Sequence, residues 1–197
     1  MKVQSRLPDV GTSIFTVMSR MALDYGAINL SQGFPDFPID RKIIELVSKF
    51  MLEDQNQYAP MPGTSALRNI IADVIHGSFS RQVDPETEIT ITSGATEAIY
   101  SVIAAFITPG DEVIVFDPSY DSYNPSIRLS GGTPVHINLT FPEFSVDWEE
   151  VRAKISSRTK MIIINTPHNP SGTILREPDL KELEAIALKH NIFVLSD

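Results

Sequence analysis

The chain contains no cysteine among its 197 residues. That absence excludes a disulfide framework and thiolate catalysis, and it suits a reducing compartment. No apolar stretch reaches the length of a bilayer span, and Met1 to Arg6 is not followed by the apolar run of a secretion signal. The cytoplasm is the expected compartment, and no membrane partner is expected. Basic residues are in deficit: 16 Lys plus Arg stand against 25 Asp plus Glu, a formal net charge of −9. A surface of that sign repels backbone phosphates, so nucleic acid is not the expected partner. Small anions respond to local fields, and the net charge does not exclude them.

What is present is an alternation of short apolar runs and amphipathic stretches, in a length that suits one domain or slightly more. Residues 1–40 are irregular. Within them Ile14, Phe15, Val17, Met18 and Met21 can line one face of a short helix, and Ser31 to Pro38 opposes any regular element. The spacing predicts a helix from Asp40 to about Asp54, with Ile43, Ile44, Val47 and Met51 on one face. A second is predicted from Ser65 to about Ser80, with Leu67, Ile70, Ile71, Val74 and Ile75 inward. Glu88 to Thr92 reads as a strand. A repeating pattern follows: a helix over Glu97 to Ile107, a strand over Val113 to Phe116, and a crossover within 119–130. Next come an extended segment from Pro134 to Leu139, a helix capped by Asp147, and a strand over Met161 to Ile164. A helix opened by Pro178 and a strand over Ile192 to Leu195 complete it. Strands without polar alternation, separated by helices, imply an α/β domain whose sheet is covered on both faces.

Ligands in such domains prefer the edge formed by the strand C-terminal ends. Four features fall there. Ser93-Gly94-Ala95-Thr96 turns into a helix whose first N–H groups suit one phosphate, although the same stretch also reads as a plain helix cap. It is neither a Walker A loop nor a dinucleotide fingerprint. Tyr120 and Tyr123 could stack on a planar ring or simply pack. In Asn165 to Gly172, Pro167 and Pro170 restrain the backbone around Asn169, whose amide can donate to a phenolate-like oxygen. His168 suits an orienting or solvent role, because no nearby histidine or carboxylate completes a metal set, and no metal is expected. Asp197 follows an apolar strand and needs a cation or donors, or else it is a cap or surface carboxylate.

The stretches Asn29 to Asp36, Asn56-Gln57-Tyr58, Thr92 to Ala98, Asp117 to Tyr123, Asn165 to Gly172 and Ser196-Asp197 together resemble the class I/II aminotransferases among the fold type I pyridoxal-phosphate enzymes. The branch they resemble holds methionine aminotransferases and kynurenine–oxoglutarate transaminases. The resemblance implies a three-layer α/β/α large domain with a mostly parallel mixed sheet, plus part of a small domain. Residues 1–40 would be an N-terminal arm and part of the small domain, and 41–197 a partial large domain.

The resemblance also implies roles. Ala95 and Thr96 would hold the phosphate of pyridoxal 5′-phosphate, Tyr120 would stack over its ring, Asn169 would bond its phenolic oxygen and border the substrate, and Asp197 would pair with the ring nitrogen. Gly33 would lie beside the substrate carboxylate, and Phe15 would wall the side-chain pocket. Tyr58 would reach the cofactor phosphate of the partner subunit in a homodimer. The implied reaction moves an amino group from a large uncharged amino acid, methionine or aromatic, to a 2-oxo acid by ping-pong kinetics. A cysteine-conjugate β-lyase or another reaction on the same scaffold is the alternative, and a ligand sensor built on such a domain is a further one. Family members carry a Schiff-base lysine and two arginines beyond the position of Asp197, so the chain is expected to be partial and inactive alone.

Overall fold

The structure, a computed structural model, describes residues 4–33 and 35–197. By compactness the chain divides into two units. One is Ser93–Asp197 with the segment ending at Gly11, and the other is Thr12–Thr92.

The Thr12–Thr92 unit is helical. Helix α1, Ile14–Asp24, starts where the Ser13 hydroxyl accepts the Thr16 N–H. Helix α2, Arg41–Leu52, starts where the Asp40 carboxylate accepts the Lys42 N–H. Both caps satisfy N–H groups that have no intrahelical acceptor. Helix α3 spans Ser65–Phe79. All three lie where the apolar spacing predicts them, but the α3 face expected to point inward is largely exposed. Leu67, Ile70 and Val74 of α3 are exposed, as are Ile43, Ile44, Val47 and Met51 of α2. Periodicity marks the face that seeks cover, and among the described residues nothing buries these side chains.

The one buried residue of α3 is Arg68. Its guanidinium donates to the carbonyls of Gly63 and Pro85 and forms a forked pair with Glu86 at 3.1 Å. Gly63 has φ of +94°, and a Cβ there would stand 2.3 Å from Ile91 Cγ1, so only glycine fits the close approach of the two segments.

The Glu88–Thr92 strand expected from sequence is not formed. Ile91 donates its N–H to Pro62 O at 3.0 Å, and no described strand pairs with this stretch. A β-branched run becomes a strand only where a neighbour exchanges hydrogen bonds with it.

The Ser93–Asp197 unit is a three-layer α/β/α sandwich. Its elements run α4 (Ala95–Phe106), β1 (Glu112–Asp117), α5 (Tyr123–Leu129), β2 (Thr133–Asn138), α6 (Trp148–Lys154), β3 (Thr159–Ile164), α7 (Glu177–His190) and β4 (Phe193–Ser196). The strands form one sheet in the order β2-β1-β3-β4, every pairing parallel. Pro125 fits inside α5 because it occupies the first turn, where an N–H has no intrahelical acceptor. The Asp147 carboxylate caps α6 by accepting two N–H groups.

Alternate residues of the central strands face opposite layers. Val113, Val115, Met161 and Ile163 pack with Ile99 and Ile103 of α4 and Ile127 of α5. Ile114, Phe116, Ile162 and Ile164 pack with Val151 of α6 and Leu183 and Ile186 of α7. The crossover from β1 to β2 runs one way across the sheet, and those from β2 to β3 and β3 to β4 run the other way. Right-handed connections therefore put α5 on one face and α6 and α7 on the other.

Candidate active site

The reversal of crossover direction creates a crevice at the C-terminal ends of β1 and β3, the position at which open α/β sheets bind ligands. The segment after β1 supplies Tyr120, the segment after β3 supplies Asn165 to Asn169, and the end of β4 supplies Asp197. The Asp197 N–H donates to Ile164 O at 2.9 Å, which locks the last residue beside Asn165. The N-terminus of α4 completes the ring. Gly94 precedes it with φ of +82°, a conformation glycine adopts without strain.

These elements enclose a cleft of about 500 Å³ lined by Ala95, Thr96, Tyr120, Asn165, Asn169 and Asp197, together with Thr166 and Pro167. Five residues singled out from the sequence are thus brought together: Ala95, Thr96, Tyr120, Asn169 and Asp197. Phe15, Gly33 and Tyr58 belong to the Thr12–Thr92 unit. Phe15 is half-buried on α1, Gly33 is exposed, and Tyr58 is fully exposed.

The start of α4 on the cleft lining suits an anion. The first N–H groups of α4 have no intrahelical acceptor, and the helix dipole adds partial positive charge there. Thr96 contributes a hydroxyl, which lies 3.4 Å from the Tyr120 hydroxyl. Glu97, in the first turn of α4, accepts the Ser93 N–H. Its carboxylate is thus tied to the turn before the helix.

The Asp197 carboxylate on the same lining suits a cation. Asp197 Oδ2 accepts from the Tyr123 hydroxyl and from Asn165 Nδ2, the latter at 3.0 Å. Asn165 Nδ2 also lies 2.9 Å from the Tyr123 oxygen. Tyr123 is buried, and its ring meets that of Tyr120 edge to face at 5.7 Å between centroids. Burial and then the bond to Asp197 push the Tyr123 phenol well above its ordinary range.

The Asn165–Gly172 loop, which contributes Asn165 and Asn169 to the lining, is braced from within. Asn165 Oδ1 accepts the Asn169 N–H at 3.1 Å, and Thr166 Oγ1 accepts the Leu175 N–H at 3.0 Å. The His168 N–H donates to Thr173 O, and the Gly172 N–H donates to His168 O, each at 2.7 Å. His168 Nδ1 lies 2.7 Å from Ser171 Oγ. Of the two roles left open for His168, orienting or solvent, the structure favours the first: the side chain is buried inside its own loop, and burial pushes its pKa down.

Two contributors escaped the sequence reading. Asn165 was visible only as the start of a distinctive stretch, and Tyr123 only as an aromatic that could stack or pack. The signal for Asn165 was its place directly after β3. Nothing along the chain marks the tyrosine as a donor to Asp197, 74 positions away.

A sequence profile described as aminotransferase class I and II matches residues 25–197. The chain belongs to the class I and II aminotransferase family. It is 50% identical over 194 residues to the methionine aminotransferase of Escherichia coli strain K12, covering 98% of this chain and 50% of that protein. It is 33% identical over 207 residues to mouse kynurenine–oxoglutarate transaminase 3, covering 100% and 46%. A crystal structure from Escherichia coli, described as identifying a methionine aminotransferase function, matches with a TM-score of 0.96 at 49% identity, over 100% of this chain and 52% of that one. The chain spans about half the length of the relatives it matches.

The fold is accordingly that of the large domain of a fold type I pyridoxal-phosphate transferase. The cleft of this family member fits that cofactor on its own chemistry. Helix N–H groups and a hydroxyl suit a phosphate, an aromatic ring suits a planar heterocycle, an amide suits a phenolic oxygen, and a carboxylate suits a protonated ring nitrogen. Among the described residues no group of three or more His, Asp or Glu side chains could hold a metal ion, and no helix is long and apolar enough to cross a membrane.

Proposed function

We propose that the full-length protein is a pyridoxal-phosphate-dependent aminotransferase that moves an amino group from a large uncharged amino acid to a 2-oxo acid. The observation that carries this reading is the convergence of a helix start suited to an anion, Tyr120, Asn169 and the Asp197 carboxylate on the lining of one cleft. Ala95 and Thr96 would hold the phosphate, Tyr120 would cover the ring, Asn169 would bond the phenolic oxygen, and Asp197 would keep the ring nitrogen protonated. When bound, pyridoxal phosphate supplies an electron sink for the charge left when the substrate's alpha proton departs. The residues of this chain bind, orient and set the charge of the site. Proton transfer at the alpha carbon would fall to a lysine outside this sequence.

The family resemblance would give Phe15 and Gly33 roles toward the substrate, Phe15 toward its side chain and Gly33 toward its carboxylate. An apolar wall favours methionine and aromatic donors at roughly 25 cal/mol per Å² buried. It disfavours aspartate, whose second carboxylate would lose water without a partner. The 50% identity to a methionine aminotransferase supports this choice of donor. Relatives named for other substrates share the scaffold, among them an aspartate aminotransferase of Thermotoga maritima at 37% identity over 172 residues.

The purified full-length protein is expected to bind pyridoxal phosphate with a visible absorbance band that borohydride abolishes. It is also expected to give parallel lines in double-reciprocal kinetics and to turn over methionine and phenylalanine faster than aspartate. Absence of cofactor binding after reconstitution would refute the reading. A clear preference for aspartate would refute the donor assignment alone.

The same proposal makes the protein a cytoplasmic homodimer, with residues 1–40 as arm and part of the small domain and 41–197 as part of the large domain. Cell fractionation tests the compartment. The exposed apolar side chains of α2 and the fully exposed Tyr58 support a partner surface. Tyr58→Phe is expected to loosen cofactor retention without changing the melting temperature. A fully active monomer at low concentration, seen by sedimentation, would remove the shared site.

A further inference from the structure

We infer that Tyr123 is a positioning residue that, with Asn165, binds one oxygen of Asp197 and commits the other to the cation bound in the cleft. The inference rests on the pyridoxal phosphate reading and extends it to two residues that do not themselves carry the chemistry.

The hydrogen-bond directions follow from the network. Asn165 Oδ1 must accept, because its partner is the backbone N–H of Asn169. Its other amide atom is therefore the NH2 group, which donates toward the Tyr123 oxygen and Asp197 Oδ2. With its oxygen accepting from Asn165, the Tyr123 hydroxyl directs its proton to Asp197 Oδ2. Both donors thus meet the same carboxylate oxygen, and Asp197 Oδ1 has no hydrogen-bond partner among the described residues.

Asp197 is exposed at the cleft wall, where an unrestrained carboxylate would turn freely. Tyr123 is 3% exposed, and its ring packs in the cluster of Ile99, Ile103, Ile127 and Met161. The donor is anchored in the core while the acceptor stands in the cleft. The raised phenol pKa keeps the hydroxyl protonated across the working range, so its donation does not switch off with pH.

The test compares two probes on the full-length protein: pyridoxal 5′-phosphate, and its 1-deaza analogue, in which a C–H replaces the ring nitrogen. Tyr123→Phe keeps the ring in the core and removes only the donor. The variant is expected to bind pyridoxal phosphate about ten- to a hundredfold more weakly, the range for a hydrogen bond to a charged group. Its affinity for the deaza analogue is expected to stay within about threefold of wild type, since that probe presents no ring N–H for Asp197 to meet. Asn165→Ala acts on the same carboxylate oxygen and carries the test should Tyr123→Phe not accumulate as folded protein, the ratio between the two probes again being the readout. Equal affinity of variant and wild type for pyridoxal phosphate overturns the inference, and so does equal weakening for both probes, which marks a general packing role. A wild type that binds neither probe overturns the cofactor reading and this inference with it.

Discussion

Replacing Asp197 with alanine in the full-length protein lowers kcat/KM by roughly thirty- to several-thousandfold, with a parallel loss of cofactor affinity. The estimate is that of removing one partner from a hydrogen-bonded charge pair, about 2–5 kcal/mol, at about 1.4 kcal/mol per decade. Asp197 is the carboxylate of the cleft, and two donors already converge on it. Its truncation leaves the Tyr123 hydroxyl and the Asn165 amide without their acceptor and removes the anion that would hold a ring nitrogen protonated. Steady-state kinetics and cofactor titration check the result. Asp197→Asn separates charge from shape: it retains a hydrogen-bonding group of the same size, and recovery of wild-type kcat/KM by this variant would show that the negative charge is not required.

Ile162→Ala produces the largest expected loss of stability, about 2–5 kcal/mol, as for other isoleucine truncations in closed cores. Ile162 is fully buried on β3, paired with Ile114 of β1 on one side and Val194 of β4 on the other. Its side chain lies in the layer that β3 shares with α6 and α7. A loss of that size is a large share of the roughly 5–15 kcal/mol typical of folded domains, so the variant should also accumulate poorly. Urea unfolding of the full-length protein measures the change. Leu188→Ala is the control: this α7 leucine is 77% exposed, and its removal is expected to stay within about 0.5 kcal/mol. Equal losses at the two positions would contradict the layered core.

The legible parts of the fold were those written in local spacing. The apolar run Met161 to Ile164 can only be a buried strand or a buried helical turn, and the turn residues around it select the strand. Asp40 and Asp147 stand before amphipathic runs and cap helices as side chains of that type do. Glu88 to Thr92 has the composition of a strand and does not become one, because composition does not supply a neighbour. Leu67, Ile70 and Val74 keep helical spacing and remain exposed, because spacing orients a face without providing what covers it. In the cleft, Ala95 and Thr96 at a helix start, Tyr120 and Asn169 in the segments that follow β1 and β3, and Asp197 directly after β4 were recognisable because each lies within a motif of a family whose members share that order.

From the sequence by itself came the alternation of helices and strands, the covered sheet, the family and the residue types of the cradle. All are properties of neighbours along the chain or of motifs in order. The tertiary structure alone decided the strand order β2-β1-β3-β4, and with it the crevice at which the crossovers reverse. It also decided that Tyr123, Asn165 and Asp197 form one hydrogen-bonded unit. Asn165 lies 42 positions from Tyr123 and 32 from Asp197, and no periodicity spans such distances. They meet because parallel pairing brings the ends of β3 and β4 side by side, and because packing of α5 against the sheet carries the Tyr123 hydroxyl to that same edge.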